Sequence, residues 1–179
     1  MKIKLIVAAL FALMFASYGF AGENEGTKSM PTPPAASAEL EHMKSLAGHW
    51  EGITKHSNGT EEPVAVDYKV TSGGSAVVET LSPGTSHEMV SIYHDANEKL
   101  EMTHYCMLGN HPTLTLESSN DKQFNFDASA QTKSELAGKM YMNSLVLDRP
   151  SEKELVQTWT ALNPDGSPSD STVFSLKHA

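Results

Sequence analysis

The 179-residue chain carries one cysteine, Cys106, and one arginine, Arg149. A lone thiol cannot close an intramolecular disulfide, so in an oxidising compartment Cys106 is buried, metal-bound, reactive or paired with another chain. Cations are few. Thirteen Lys and Arg stand against 22 Asp and Glu, a formal net charge of −9, and no basic patch occurs. That balance argues against nucleic acid and anionic membrane surfaces as partners. After Ala16 no apolar run reaches the length of a membrane span. No Gly-x-Ser-x-Gly elbow, phosphate loop, dinucleotide fingerprint or paired-cysteine motif appears, which removes the support for ordinary hydrolase, kinase and dehydrogenase readings.

Lys2 and Lys4 precede an apolar run from Leu5 to Ala16, and the small residues Gly19 and Ala21 flank Phe20. This is the anatomy of a secretory signal, with cleavage expected after Ala21 and a mature chain beginning at Gly22. A lipid-modified N-terminus is not expected, because the only cysteine lies far away. The product is expected to be exported, periplasmic or extracellular, with no membrane span once the signal is removed. Residues 22–36 are polar, small and proline-bearing, and read as a disordered tether. Residues 37–179 make one domain, long enough to bury a core without staples.

Leu40, Met43, Leu46 and Ala47 fall at helical spacing and Gly48 suits the position past a helix end, predicting one short helix over 38–47. Beyond it the pattern has period two. About ten strands are expected near 49–56, 64–71, 76–81, 87–94, 99–107, 112–118, 122–127, 139–148, 154–162 and 171–178. Ser72-Gly73-Gly74-Ser75, Ser119-Asn120-Asp121 and Asn163-Pro164-Asp165-Gly166 supply turn chemistry. An open sheet of ten half-apolar strands would leave a large face wet, whereas closure removes both that face and the edges. The expected fold is therefore all-β, an antiparallel closed barrel of about ten strands preceded by one short helix. Residues 128–138 break the rhythm and read as a lid-like loop or a short helix.

The stretch from Ser86 to His111 holds the candidate site. Asp95-Ala96-Asn97-Glu98 separates two alternating runs. An even-numbered loop, Ala96-Asn97 or Asp95 to Glu98, pairs Tyr93 with Leu100, Met89 with His104, and His87 with Cys106. His87, His104 and Cys106 then share a face with Met89, Tyr93, Leu100, Met102 and Leu108. An odd loop or a bulge would instead bring Thr103 and Tyr105 to the His87 face. The opposite face carries Glu88, Glu101, Thr103 and Tyr105, which are costly to bury unpaired, so the histidines are expected inside. Val90 and Ile92 lie on that outer face, where a barrel tolerates β-branched residues.

Three chemistries suit this cluster. A soft or borderline metal would take imidazole plus thiolate, with Met89 or Met102 as thioether donors, although the spacing matches no established metal motif. A thiolate beside a histidine could act as a nucleophile or redox group, although no helix N-terminus or cation is visible to lower its pKa. The third is a polar patch in a mostly apolar cavity, orienting a small organic ligand through His87, His104, Cys106, Met89, Tyr93 and Met102. Trp50 is expected to plug the closed end of the barrel, and Trp159 to pack in the core or line the cavity. His49, His56, His94 and His111 fall at strand ends or turns and read as surface residues. Asn58-Gly59-Thr60 has the form of a glycosylation acceptor.

Leu46-Ala47-Gly48-His49-Trp50-Glu51-Gly52 resembles the Gly-x-Trp opening of lipocalin-like (calycin) barrels, and its Gly-x-Trp-x-Gly form is similar to nitrobindin-like haem-binding barrels. The span Gly48 to Ala179 also resembles a family of small, secreted, largely uncharacterised bacterial proteins. That likeness is carried by residues 68–77 and 83–90, and by Thr103-His104-Tyr105-Cys106 with Gly109 and Asn110. The first resemblance implies a ligand-enclosing barrel, with a basic residue on the last strand against the tryptophan, a part only Lys177 can take. The second implies haem on a late histidine, and His178 is the only one. A terminal residue is a poor scaffold for a metal.

The resulting expectation is an exported barrel that binds a small, apolar molecule in a cavity open at one end, with residues 128–138 near its mouth. The alternatives are a metal-, haem- or thiol-dependent catalyst using His87, His104 and Cys106, and an envelope protein with a filled barrel.

Overall fold

The computed structural model describes residues 35–179, so the expected signal and nearly all of the tether lie outside the described residues. Helix α1 (Ala38–Lys44) is followed by strands β1 (Gly48–Lys55), β2 (Glu61–Thr71), β3 (Ala76–Leu81), β4 (Met89–Ala96), β5 (Lys99–Tyr105), β6 (Thr113–Ser119) and β7 (Gln123–Ala128). Helix α2 (Ala130–Glu135) then leads to β8 (Tyr141–Ser151), β9 (Glu154–Leu162) and β10 (Thr172–His178). Each strand pairs antiparallel with the next, and β1 also pairs with β10, which closes the barrel. The expected fold class is the observed one.

Period-two sequence becomes an inside and an outside. In β3, Val77, Glu79 and Leu81 are buried, and in β5, Leu100, Met102 and His104 are buried while their neighbours are not. The segment between β7 and β8 forms α2, whose Ser129 Oγ caps the Thr132 backbone N–H, while Thr132 Oγ1 donates to the Thr113 carbonyl at 3.0 Å.

Helix α1 closes one end. Ser37 caps it, its Oγ accepting from the Leu40 N–H, while the same residue donates from its backbone N–H and hydroxyl to the Asp95 carboxylate on β4 at 2.8 and 2.6 Å. Leu40, Met43 and Leu46 are buried in one core cluster with Trp50. The Trp50 indole N–H donates to the Leu46 carbonyl at 2.8 Å. The two glycines of the Gly-x-Trp-x-Gly segment have steric reasons. A Cβ on Gly52 would lie 1.9 Å from the Ser175 carbonyl oxygen on β10, and one on Gly48 would lie 2.4 Å from His178 Nε2. His178 thus packs edge-on against Trp50, with ring centroids 4.9 Å apart. This corrects the expectation for Lys177, which is exposed and pairs with Glu51 while His178 pairs with Trp50.

The β4–β5 register differs from the expected one. The turn is Asn97-Glu98, both with positive φ (51° and 64°), so Ala96 pairs with Lys99, Tyr93 with Met102, and Ser91 with His104. Asparagine tolerates the left-handed conformation far better than alanine, so the two-residue primed turn begins at Asn97 rather than at Ala96. The shift is two residues. The faces therefore keep their parity and His104 stays inside, but the pairs Tyr93–Leu100, Met89–His104 and His87–Cys106 do not form.

Candidate functional site

Four neighbouring strands place one polar row across the barrel interior. Tyr68 on β2 pairs with Glu79 on β3, Glu79 with Ser91 on β4, and Ser91 with His104 on β5. Glu79, Ser91 and His104 are 0, 0 and 1 % exposed. Tyr68 Oη donates to Glu79 Oε1 at 2.7 Å and Tyr93 Oη to Glu79 Oε2 at 2.9 Å. Gln157 reaches across from β9, its Nε2 donating to Tyr68 Oη and to Glu79 Oε1. Its Oε1 accepts from the Trp159 indole N–H at 2.9 Å.

Burial raises the Glu79 carboxyl above its ordinary range, opposed by hydrogen bonds from Tyr68, Tyr93, Gln157 and Ser91. The Tyr68 and Tyr93 hydroxyls are pushed well above the usual phenol value, first by burial and then by the Glu79 charge, so both remain donors. Burial lowers His104 to about 4, which keeps the imidazole neutral at physiological pH. Its Nδ1 lies 3.0 Å from Ser91 Oγ, and its Nε2 is buried without a hydrogen-bond partner.

His104 stands in the wall of a cavity of about 240 Å³ at the end of the barrel opposite α1. Val64, Leu81, Met89, Trp159 and Phe174 make much of the surface, with Met107 and Met142 beside them. His87 and His56 also face this space, His56 with its Nε2 2.9 Å from Glu62 Oε1. The Trp159 ring packs on His104 with centroids 4.8 Å apart. Helix α2 is not in the wall.

The candidate residues separate accordingly. His104, Met89 and His87 meet at the cavity, although His87 lies in the exposed loop before β4. Tyr93 and Met102 are fully buried in the core, with Tyr93 serving Glu79. Cys106 follows the last residue of β5, in a turn where its N–H donates to the Asn110 carbonyl at 3.0 Å, and it is absent from the cavity wall. Burial raises its thiol pKa, the wrong direction for a thiolate nucleophile. Strand β4 begins after His87 and β5 ends before Cys106, so the expected His87–Cys106 neighbourhood does not form. Among the described residues no group of three or more His, Cys, Asp or Glu side chains is assembled to hold a metal ion. His56, expected as a surface residue, joins the cavity rim.

Haem does not fit here. His178 packs against Trp50 at the α1 end, away from the cavity. The cavity volume of about 240 Å³ also falls below the roughly 300–1,000 Å³ of sites for drug-sized ligands, and haem is no smaller than such ligands.

No protein-family model matches the chain, and no curated protein matches it closely enough to count as a relative. Among solved structures it is similar to Rv2717c from M. tuberculosis, with a TM-score of 0.52 and 11% identity, over 81% of this chain and 99% of that one. It is also similar to a protein of unknown function of the DUF3598 family from Nostoc punctiforme, with a TM-score of 0.52 and 10% identity. That match covers 76% of this chain and 49% of the other, so this chain spans about half its length. At such identities the likeness shows the fold alone: a closed ten-stranded antiparallel barrel.

Proposed function

We propose that this is an exported barrel whose end cavity binds a small, mostly apolar molecule bearing one polar group, held at His104. The observation that carries the reading is a largely apolar end cavity with His104 in its wall; the Nε2 of that ring lies buried without a partner, and a ligand would have to draw it to the cavity surface. A buried polar atom without a partner costs about 1–3 kcal/mol, which a ligand group can recover. An apolar cavity of 150 Å³ holds benzene, so about 240 Å³ suits a ligand of roughly ten non-hydrogen atoms. Thioether side chains at Met89, Met107 and Met142 adapt to varied apolar guests. The catalyst reading through His87, His104 and Cys106 lacks support, because the thiol stands outside the wall. The filled-barrel reading is disfavoured by the same cavity.

Protein recovered from its native compartment is expected to carry a small organic molecule in native mass spectra. His104→Ala protein should lose that molecule while its stability falls by no more than about 1–2 kcal/mol, since the truncation opens onto existing space. Equal retention by both proteins would remove His104 from the site, and a visible absorbance band would point to haem.

A further inference from the structure

Met107 sits at the boundary between the cavity and solvent. It follows Cys106 in a tight turn, where the Gly109 N–H donates to the Cys106 carbonyl at 2.9 Å and the Cys106 N–H to the Asn110 carbonyl at 3.0 Å. Gly109 takes a φ of 76° there. Asn110 Nδ2 donates to the Met140 carbonyl at 2.8 Å, which ties the turn to the residue before β8. The backbone under Met107 is thus braced, while its side chain lines the cavity and stays 59 % exposed.

That combination sets it apart among the described methionines. Met43 and Met102 are fully buried, Met89 and Met142 line the cavity but are only partly exposed, and Met140 is 38 % exposed but lies outside the wall. A thioether needs no deprotonation to react with a peroxide, so access decides which methionine is attacked first. The neighbouring thiol competes poorly. Cys106 is partly buried and burial holds it protonated, whereas the thiolate is the reactive form.

Resting on the small-ligand reading above, we infer that Met107 is a modification site, at which a hydroperoxide converts the thioether to the sulfoxide and so lowers the affinity of the cavity for apolar guests. A sulfur lone pair attacks one peroxide oxygen, the S–O bond forms as the O–O bond breaks, and the other oxygen keeps a proton and leaves as water or an alcohol. Sulfur loses two electrons and the peroxide takes them. A soft surface that adapts to apolar guests thereby gains a strong acceptor oxygen, whose hydration an incoming guest has to strip.

The full mature protein and its Met107→Leu and Met140→Leu variants are treated with one dose of hydrogen peroxide, set to give the single-oxygen adduct of wild type. After removal of the peroxide they are mapped by peptide mass spectrometry and titrated calorimetrically with 4-methylphenol. Oxygen should appear first on Met107, and affinity should fall at least about threefold in wild type and equally in Met140→Leu. In Met107→Leu the affinities before and after treatment should agree, whatever the starting value. Methionine sulfoxide reductases for both epimers, supplied with a dithiol, should restore binding to treated wild type. First oxidation at another methionine or at Cys106, unchanged affinity with Met107 oxidised, or an equal fall in Met107→Leu would overturn the inference while leaving the small-ligand reading intact. Failure of untreated wild type to bind 4-methylphenol would remove both.

Discussion

Glu79→Ala is expected to lower stability by about 4 kcal/mol, read as a shift in the chemical denaturation midpoint. Truncation leaves the Tyr68 and Tyr93 hydroxyls and one Gln157 N–H facing the space where the carboxylate was. Each buried donor without a partner costs about 1–3 kcal/mol. Removing a buried charge that had itself been desolvated, together with entry of water into the new space, offsets part of the sum. Glu79→Gln retains one acceptor oxygen, and about half the loss is expected. A change below about 1 kcal/mol in the alanine variant would mean that the barrel does not depend on this network.

Acidification should weaken the fold through His104. The group titrates at about 4 when folded, against an ordinary value of 6.5 when unfolded. Below 6.5 the unfolded chain takes up a proton that the folded chain refuses, so stability falls as pH drops from 6.5 to about 4 and is flat in this group above that window. The shift corresponds to about 3 kcal/mol. Half-buried His42 is also lowered, chiefly by burial, and works in the same direction. Glu79 works against it. Its carboxyl is raised when folded, so its contribution is present at low pH and lost as pH rises through the folded value. Comparing wild type with His104→Gln isolates the histidine: the slope between pH 4 and 6.5 should shrink in the variant. Parallel profiles would mean that His104 is not held neutral by burial.

Period-two alternation carried most of the fold. The ten strands and the helix were legible because Leu114 and Leu116, or Phe124 and Phe126, can be buried only as one face of a strand, and that many half-apolar strands need closure. The inward direction of His104 followed from the same parity. The exact partner of His104 did not, because it turned on whether the tight turn began at Ala96 or Asn97, a local backbone preference of about 1–2 kcal/mol. His87 and Cys106 were misplaced together, since β4 begins at Met89 and β5 ends at Tyr105.

The polar row was missed, although part of its signal was present. Glu79 lies between Val77 and Leu81, Tyr68 between Val66 and Val70, and Gln157 between Leu155 and Trp159, each a polar group on an apolar parity. What no local pattern contained was their meeting. Gln157 and Tyr68 are 89 positions apart and come together only because the barrel closes.

The most direct measurement of the binding account uses methionine methyl groups as reporters. In protein labelled at those methyls, titration with 4-methylphenol should shift Met89, Met107 and Met142, which line the cavity, along one saturating curve. Met43 and Met102, fully buried outside the wall, should stay in place. Saturable shifts at the three cavity methionines with the two core methionines unmoved are the predicted result; shifts that fail to saturate, or that arise first at Met43 and Met102, would contradict it.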